Sequence, residues 1–150
     1  MTPVFEFAPV GEADFDDLLA LRIAAMRESL VRIGRFDPQR AAQRFRSTFR
    51  PAQTRRIHVG AEAAGCVALW DEPEAMRVEH FYLAVKHQRL GLGAAVLRRL
   101  FAEAPPHVQC FRVGALRGSD ANRFYQRQGF VQVSETEWDI EYERPRPPRA

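Results

Sequence analysis

The segment "HFYLAVKHQRLGLGAAVLRRLF", residues 80–101, runs from an apolar strand-like stretch into a turn carrying Gly91 and Gly93, where a helix should begin. Glycine costs a helix interior about 1 kcal/mol relative to alanine, so two of them together need a reason. The first turn of a helix leaves backbone N–H groups without partners, and with the helix dipole they form a seat for an anion. Gly91 and Gly93 remove the side chains that would hold a phosphate away, and Gln88 and Arg89 add a polar and a cationic contact beside it. The spacing is not the dinucleotide G-x-G-x-x-G, because the third glycine is missing, and no Lys-Ser/Thr follows as in a P-loop. Read alone, the same pair also serves close packing of a helix on a strand.

A second constellation follows one helix and one strand later. "GSDANRFYQRQGF", residues 118–130, holds capping residues, the small Ala121, the aromatic pair Phe124 and Tyr125, and a Gly-Phe exit at Gly129 and Phe130. With Gln88, Gly91 and Gly93 in a Q/R-x-x-G-x-G/A pattern, and Ala121, Phe124, Tyr125, Gly129 and Phe130 behind them, the chain resembles the GNAT superfamily of acetyl-coenzyme A-dependent N-acetyltransferases. The order of elements matches over almost the whole chain. It departs from the family's pattern at Val85, where a proline is common, and before Ala121, where Ser119 stands near the usual asparagine and Asn122 lies just beyond.

The resemblance implies direct attack of an amine on the thioester of acetyl-CoA. The pantetheine arm would pair with the backbone of Leu83, Ala84 and Val85, and the pyrophosphate would rest on the amides of Arg89, Leu90, Gly91, Leu92, Gly93 and Ala94, beside Gln88. Ser119 or Asn122 would touch coenzyme A, or Ser119 would cap the helix. An alkyl ammonium of pKa ~10.4 costs about 4.6 kcal/mol to deprotonate at pH 7, so a base is useful. By the same resemblance Glu79 is that base, directly or through water, with His80 and Tyr82 as alternatives; as a plain residue Glu79 also reads as a surface carboxylate of an alternating strand. The departing thiolate needs a proton, and Tyr125 stands at the family's position for the acid. Phe124 reads as the packing aromatic. The acceptor, a small-molecule or peptide amine, would meet the first two helices, where Arg27, Glu28, Arg32, Arg35 and Arg40 surround Phe36.

The elements that must position these groups are legible in the periodicities. "PVFEFAPV" alternates like a first strand, and Ala13–Ile33 places Phe15, Leu18, Leu19, Met26, Leu30 and Ile33 on one helical face closed by Gly34. Asp37 reads as an N-cap with Pro38 at the first helical position, and Ala41, Phe45 and Phe49 mark a second, shorter helix that Pro51 ends. Three strand-like runs follow, "RRIHVGAE", "GCVALW" and "AMRVEHFYLAV", with turns at "EAAG" and "DEPE", an antiparallel meander whose third run feeds the glycine turn. A helix ended by Pro105 and Pro106, the strand "VQCFRVGA", a helix capped by Ser119 or Asp120 and a closing hairpin "FVQV"/"WDIEYE" complete the chain. The expected fold is α/β, a single GNAT-like domain with a mixed, mostly antiparallel sheet of six or seven strands flanked by about four helices. It should span residues 1–143, with 144–150 a disordered basic tail.

Composition narrows the function classes. The net charge of +3 comes from Arg144, Arg146 and Arg149; without them 19 basic residues face 19 acidic ones, which argues against a nucleic-acid surface. Cys66 and Cys110 lie in apolar runs without metal-ligand spacing, so they read as reduced core residues and no metal is expected. No basic n-region with an apolar h-region opens the sequence and no long apolar run follows, so a cytoplasmic protein with no membrane partner is expected. The final hairpin offers an edge for a homodimer. Two other classes stay open, a non-catalytic acyl-CoA sensor and a protein-interaction module using the arginine-rich first helices.

Overall fold

A computed structural model describes residues 3–147. Among these residues four α-helices and seven strands are present, the strands hydrogen-bonded in the order β1-β2-β3-β4-β5-β7-β6. By contact density the chain falls into two compact units. One holds the residues up to Ala68 together with His80–Ala95; the other holds Leu69–Glu79 and the residues from Val96 onward.

The first unit begins with β1 (Glu6–Pro9), antiparallel to β2 (Thr54–Val59). Between them lie α1 (Phe15–Arg32), preceded by a short 3-10 turn, and α2 (Pro38–Thr48). Asp37 caps α2 as expected, its Oδ1 accepting from the N–H groups of Gln39 at 3.1 Å and Arg40 at 3.3 Å, with Pro38 just inside the helix. The helix faces meet in an aromatic core: Phe15, Leu18, Phe45 and Cys66 are buried, with Phe49 and Tyr82 packed against them, and Phe15 and Phe45 stack at 5.3 Å. The turn between β2 and β3 (Glu62–Glu72) is Gly60-Ala61, with Gly60 at φ 60°, and not the expected "EAAG". Glu62 and Ala63 are already paired to Val59 and His58, so the left-handed glycine sets the reversal and the small residues after it join the ladder.

In the second unit β4 (Ala75–Leu83) enters as a parallel partner of β5 (Cys110–Leu116), in register from Ala75–Cys110 to Val78–Val113. The long connection that a parallel pair needs contains α3 (Leu92–Glu103). After β5 come α4 (Ala121–Arg127), β6 (Val131–Glu135) and β7 (Asp139–Pro145), β7 lying antiparallel to both β5 and β6. Gly129, φ 88°, closes α4 as its position predicts. Leu97, Leu100, Phe111, Val113, Phe130 and Tyr142 are buried, Phe101 and Phe111 with ring centres 4.2 Å apart.

The end of the chain differs from the expectation of a tail from Arg144. Arg144 and Pro145 belong to β7, opposite Phe111 and Cys110. Arg146 then donates its guanidinium to three carbonyls just past α3, those of Ala104 (2.9 Å), Pro105 (2.6 Å) and Val108 (3.1 Å). Of these, the Ala104 carbonyl is at the C-terminal end of α3, where a cation complements the helix dipole. Residues 148–150 of the expected tail lie outside the described residues.

Candidate functional site

The glycine turn lies in the first unit and is built as an opening for α3. A 3-10 turn, Val85–His87, follows β4, and Lys86 and His87 brace it on Glu62 at 2.7 and 3.0 Å. The Lys86 hydrogen bond holds the Glu62 carboxyl below its ordinary range. Arg89 (φ 64°) and Gly91 (φ 84°) are both left-handed, and the Gly91 carbonyl accepts the first helical bond, from Ala95 N–H at 3.1 Å. Gly91 is therefore the N-cap, and the N–H groups of Leu92, Gly93 and Ala94 are those the helix itself does not use. At Gly91 the reason for glycine is conformation, since an added Cβ would meet Pro3 only at 3.9 Å.

The segment leading into this turn is already engaged. The Ala84 N–H donates to Ala64 O at 2.8 Å, and the Leu83 carbonyl accepts from Gln88 Nε2 at 2.9 Å. Gln88 thus ties the turn to the end of β4, a role the sequence pattern does not distinguish from ligand contact. Val85 and Leu90 are largely exposed on either side.

Upstream of the turn, β4 breaks its extended conformation at His80, φ 46°, where a non-glycine residue is strained. His80 is 8% exposed and stands edge-on to Phe45 at 4.9 Å. A directed chain of hydrogen bonds runs through it. Thr48 Oγ1 gives its proton to the Arg44 carbonyl at 3.1 Å and so accepts from His80 Nε2–H at 2.9 Å. That leaves His80 Nδ1 as an acceptor facing Tyr82 Oη at 3.4 Å, and Tyr82 Oη accepts from Arg22 Nη1 at 2.6 Å. Burial, with Arg22 next in importance, holds the imidazole down to about 4, so it is neutral at pH 7. Both ring nitrogens are spent on protein partners, which leaves His80 a structural link more than a base. Cys66 donates to the His80 carbonyl at 3.3 Å, and burial pushes its thiol up to about 12, so it is not a nucleophile.

Arg22 did not emerge from the sequence as a site residue, yet its signal was there. The apolar face of α1 steps through Phe15, Leu18, Leu19 and Met26, and the step it omits is Arg22. The arginines assigned to the acceptor are dispersed differently: Arg27 lies over the Phe36 ring at 5.1 Å, and Arg32 reaches Ser29 at 3.4 Å.

In the second unit, Arg77 donates from Nε to a Glu79 carboxylate oxygen at 2.6 Å and from Nη1 and Nη2 to the two oxygens of Glu141, at 2.7 and 3.2 Å. Burial works against the Arg77 charge, but the bonds to Glu141 and Glu79 outweigh it and hold the guanidinium protonated. Gly114 makes room for this cluster: a Cβ there would lie 2.4 Å from Glu141 Oε2. Tyr125 is 6% exposed, its ring set edge-on to Phe124 and Phe130 at 5.3 and 5.6 Å. Asn122 is committed to the loop before α4: Nδ2 donates to the carbonyls of Leu116 and Ser119, both at 2.9 Å, and Oδ1 accepts from Tyr142 Oη at 2.8 Å. Asp120, not Ser119, occupies the N-cap position of α4, without a side-chain cap bond.

Comparison with known proteins agrees with this architecture. Residues 53–132 match the family model described as an acetyltransferase (GNAT) domain. No curated protein matches the chain in sequence. Among solved structures, an acetyltransferase from Thermus thermophilus is 21% identical and superposes with a TM-score of 0.74, over 97% of this chain and 99% of that one. The PaiA N-acetyltransferase of Thermoplasma acidophilum, solved with coenzyme A, is 12% identical with a TM-score of 0.71, over 95% and 99% of the two chains. A ribosomal-protein alanine N-acetyltransferase from Escherichia coli is 13% identical with a TM-score of 0.66, over 98% and 97%.

Proposed function

Because the chain belongs to the GNAT acetyltransferase family, we propose that it transfers the acetyl group of acetyl-CoA to a primary amine by direct attack on the thioester. The observation that carries the cofactor half is the left-handed Gly91 N-cap with Gly93 behind it, an opening turn without side chains at those two positions and bordered by Arg89. The pyrophosphate is assigned to the amides of that turn, as charge and geometry favour. The thioester supplies an activated acyl group, and the protein supplies orientation and proton handling.

Glu79 is assigned as the base, through its carboxylate or a water bound to it, and Tyr125 as the acid that protonates the leaving thiolate. A phenol of ordinary pKa ~10 is protonated at pH 7 and can donate; handing its proton to a thiolate whose acid has pKa ~8.5 is uphill by about 2 kcal/mol, and uptake of a solvent proton by the tyrosinate completes the step. What supports Tyr125 is its place in the second motif. What supports Glu79 over His80 is the bonding of His80, whose ring nitrogens both face protein groups and whose imidazole titrates at about 4.

Release of coenzyme A thiol, followed with a thiol-reactive dye across a panel of amines, tests the reading. Thiol release dependent on an added amine is the expected result, and Tyr125→Phe should lower kcat about 100-fold while leaving acetyl-CoA binding in place. Coenzyme A binding with no amine-dependent release from any amine class would replace the reading with an acyl-CoA sensor.

A further inference from the structure

Arg22 carries a charge that no carboxylate among the described residues neutralises. Its guanidinium projects from α1 into the aromatic core of the first unit, 5.9 Å from the Phe45 ring centre and 5.6 Å from that of Tyr82. Among the described residues Tyr82 Oη is its hydrogen-bond partner, at 2.6 Å, and Nε is buried with none. No carboxylate among the described residues pairs with it. The nearby acids of the first helical turns are committed elsewhere: Glu12 to Arg46, and Asp14 and Asp17 to Arg56. The imidazole beside it, His80, is neutral and adds no anion. Buried donors are almost always satisfied, so the Arg22 guanidinium, with Nε buried and unbonded, points to an anionic acceptor that the described residues do not supply.

Resting on the acetyltransferase reading, we propose that Arg22 anchors the carboxylate of the acceptor, so that the acceptor class is an amine that also bears a carboxylate, such as a free amino acid. A guanidinium presents its N–H groups as a planar fork, and a carboxylate fits that fork with two parallel hydrogen bonds. The Tyr82 phenol holds Nη1, and the Phe45 and Tyr82 rings lie near the guanidinium as apolar walls. Tyr82 is therefore a positioning residue for the anchor.

The test uses the full chain with acetyl-CoA and three matched probe sets: L-amino acids, the corresponding amino-acid amides, and the corresponding decarboxylated amines. Expected is a kcat/KM at least about tenfold higher for the best acids than for their amides, carried by KM. Arg22→Gln should collapse that ratio toward one, and Arg22→Lys should recover part of it. The thermal shift given by acetyl-CoA reports separately on folding and on the cofactor site in each variant. Where turnover is too slow to measure, binding of the same probes to the coenzyme A-loaded protein, read by calorimetry, decides the question. An amide or a decarboxylated amine used as well as the acid, or an acid preference that survives Arg22→Gln, would overturn the proposal while leaving acetyl transfer standing. Absence of any acetyl-CoA shift in the wild type would instead remove the reading on which it rests.

Discussion

Acidification from pH 6.5 to pH 4 should cost the fold about 3 kcal/mol through His80 alone. Its imidazole titrates at about 4 in the folded protein against 6.5 as a free side chain, and each unit of difference is worth about 1.4 kcal/mol. Because the folded value is the lower one, the unfolded chain takes up the proton first as the pH falls. The stabilisation is therefore complete above 6.5 and is lost progressively down to 4. The ring faces the guanidinium groups of Arg22 and Arg50, the hydroxyls of Tyr82 and Thr48, and the Cys66 thiol, which burial holds far above this window. Asp14 and Glu62, whose carboxyls are held below their ordinary values of 3.8 and 4.5, add acid lability as the pH falls through and below those values. Urea unfolding at half-unit pH steps measures the slope. His80→Asn, which tolerates the left-handed backbone and carries no titrating ring, should be less stable at pH 7 and flat between 6.5 and 4.5. An equal slope in the two proteins would contradict the assignment.

Gly65→Ala should be among the most damaging single substitutions, costing about 3 kcal/mol and lowering Tm by about 6–12 °C. An alanine Cβ at this position would lie 2.3 Å from the Tyr82 carbonyl oxygen, 2.8 Å from Leu83 Cδ2 and 3.2 Å from Leu83 Cα. The first and last of these are backbone atoms and cannot swing aside, and the strand is tied immediately afterwards by the Ala84 N–H to Ala64 O bond of 2.8 Å. Relief requires moving the end of β4, which carries Tyr82 and leads into the glycine turn. If the variant folds, its affinity for acetyl-CoA should fall along with its stability. Thermal unfolding with and without the cofactor separates the two effects. A variant within about 0.5 kcal/mol of wild type would show that β4 is free to shift there.

Local signals in this sequence translated well into structure where the physics is local. Asp37 before Pro38, Gly129 after α4 and Gly91 at the start of α3 each sit where capping chemistry puts them. The departure at the end of the chain traces to long-range contacts. The Pro/Arg composition after Glu143 reads as a frayed tail, yet Arg144 and Pro145 find partners in β5, and Arg146 finds three carbonyls beyond a helix some forty positions earlier. Gln88 and Asn122, expected as cofactor contacts, also bond within the chain, to the Leu83 carbonyl and to the loop before α4, and their spacing alone does not separate the two roles. Arg22 is hidden for a different reason: an interruption in an apolar stripe is easily passed over as tolerance, and only the folded unit reveals that its Nε is buried without a partner among the described residues.

Thermal unfolding with and without saturating acetyl-CoA, on the wild type and on Arg89→Gly, tests the central claim most directly. Arg89 occupies a left-handed position (φ 64°) that glycine adopts freely, so this variant removes the cation without straining the turn. At 100 times the dissociation constant the ligand contributes about 2.7 kcal/mol, a rise of roughly 5–11 °C for a chain of this size. The predicted result is that rise in the wild type and a clearly smaller one in Arg89→Gly at the same concentration, from an equally stable unliganded protein. No rise in the wild type would contradict acetyl-CoA as the co-substrate and, with it, the assignment of the glycine turn.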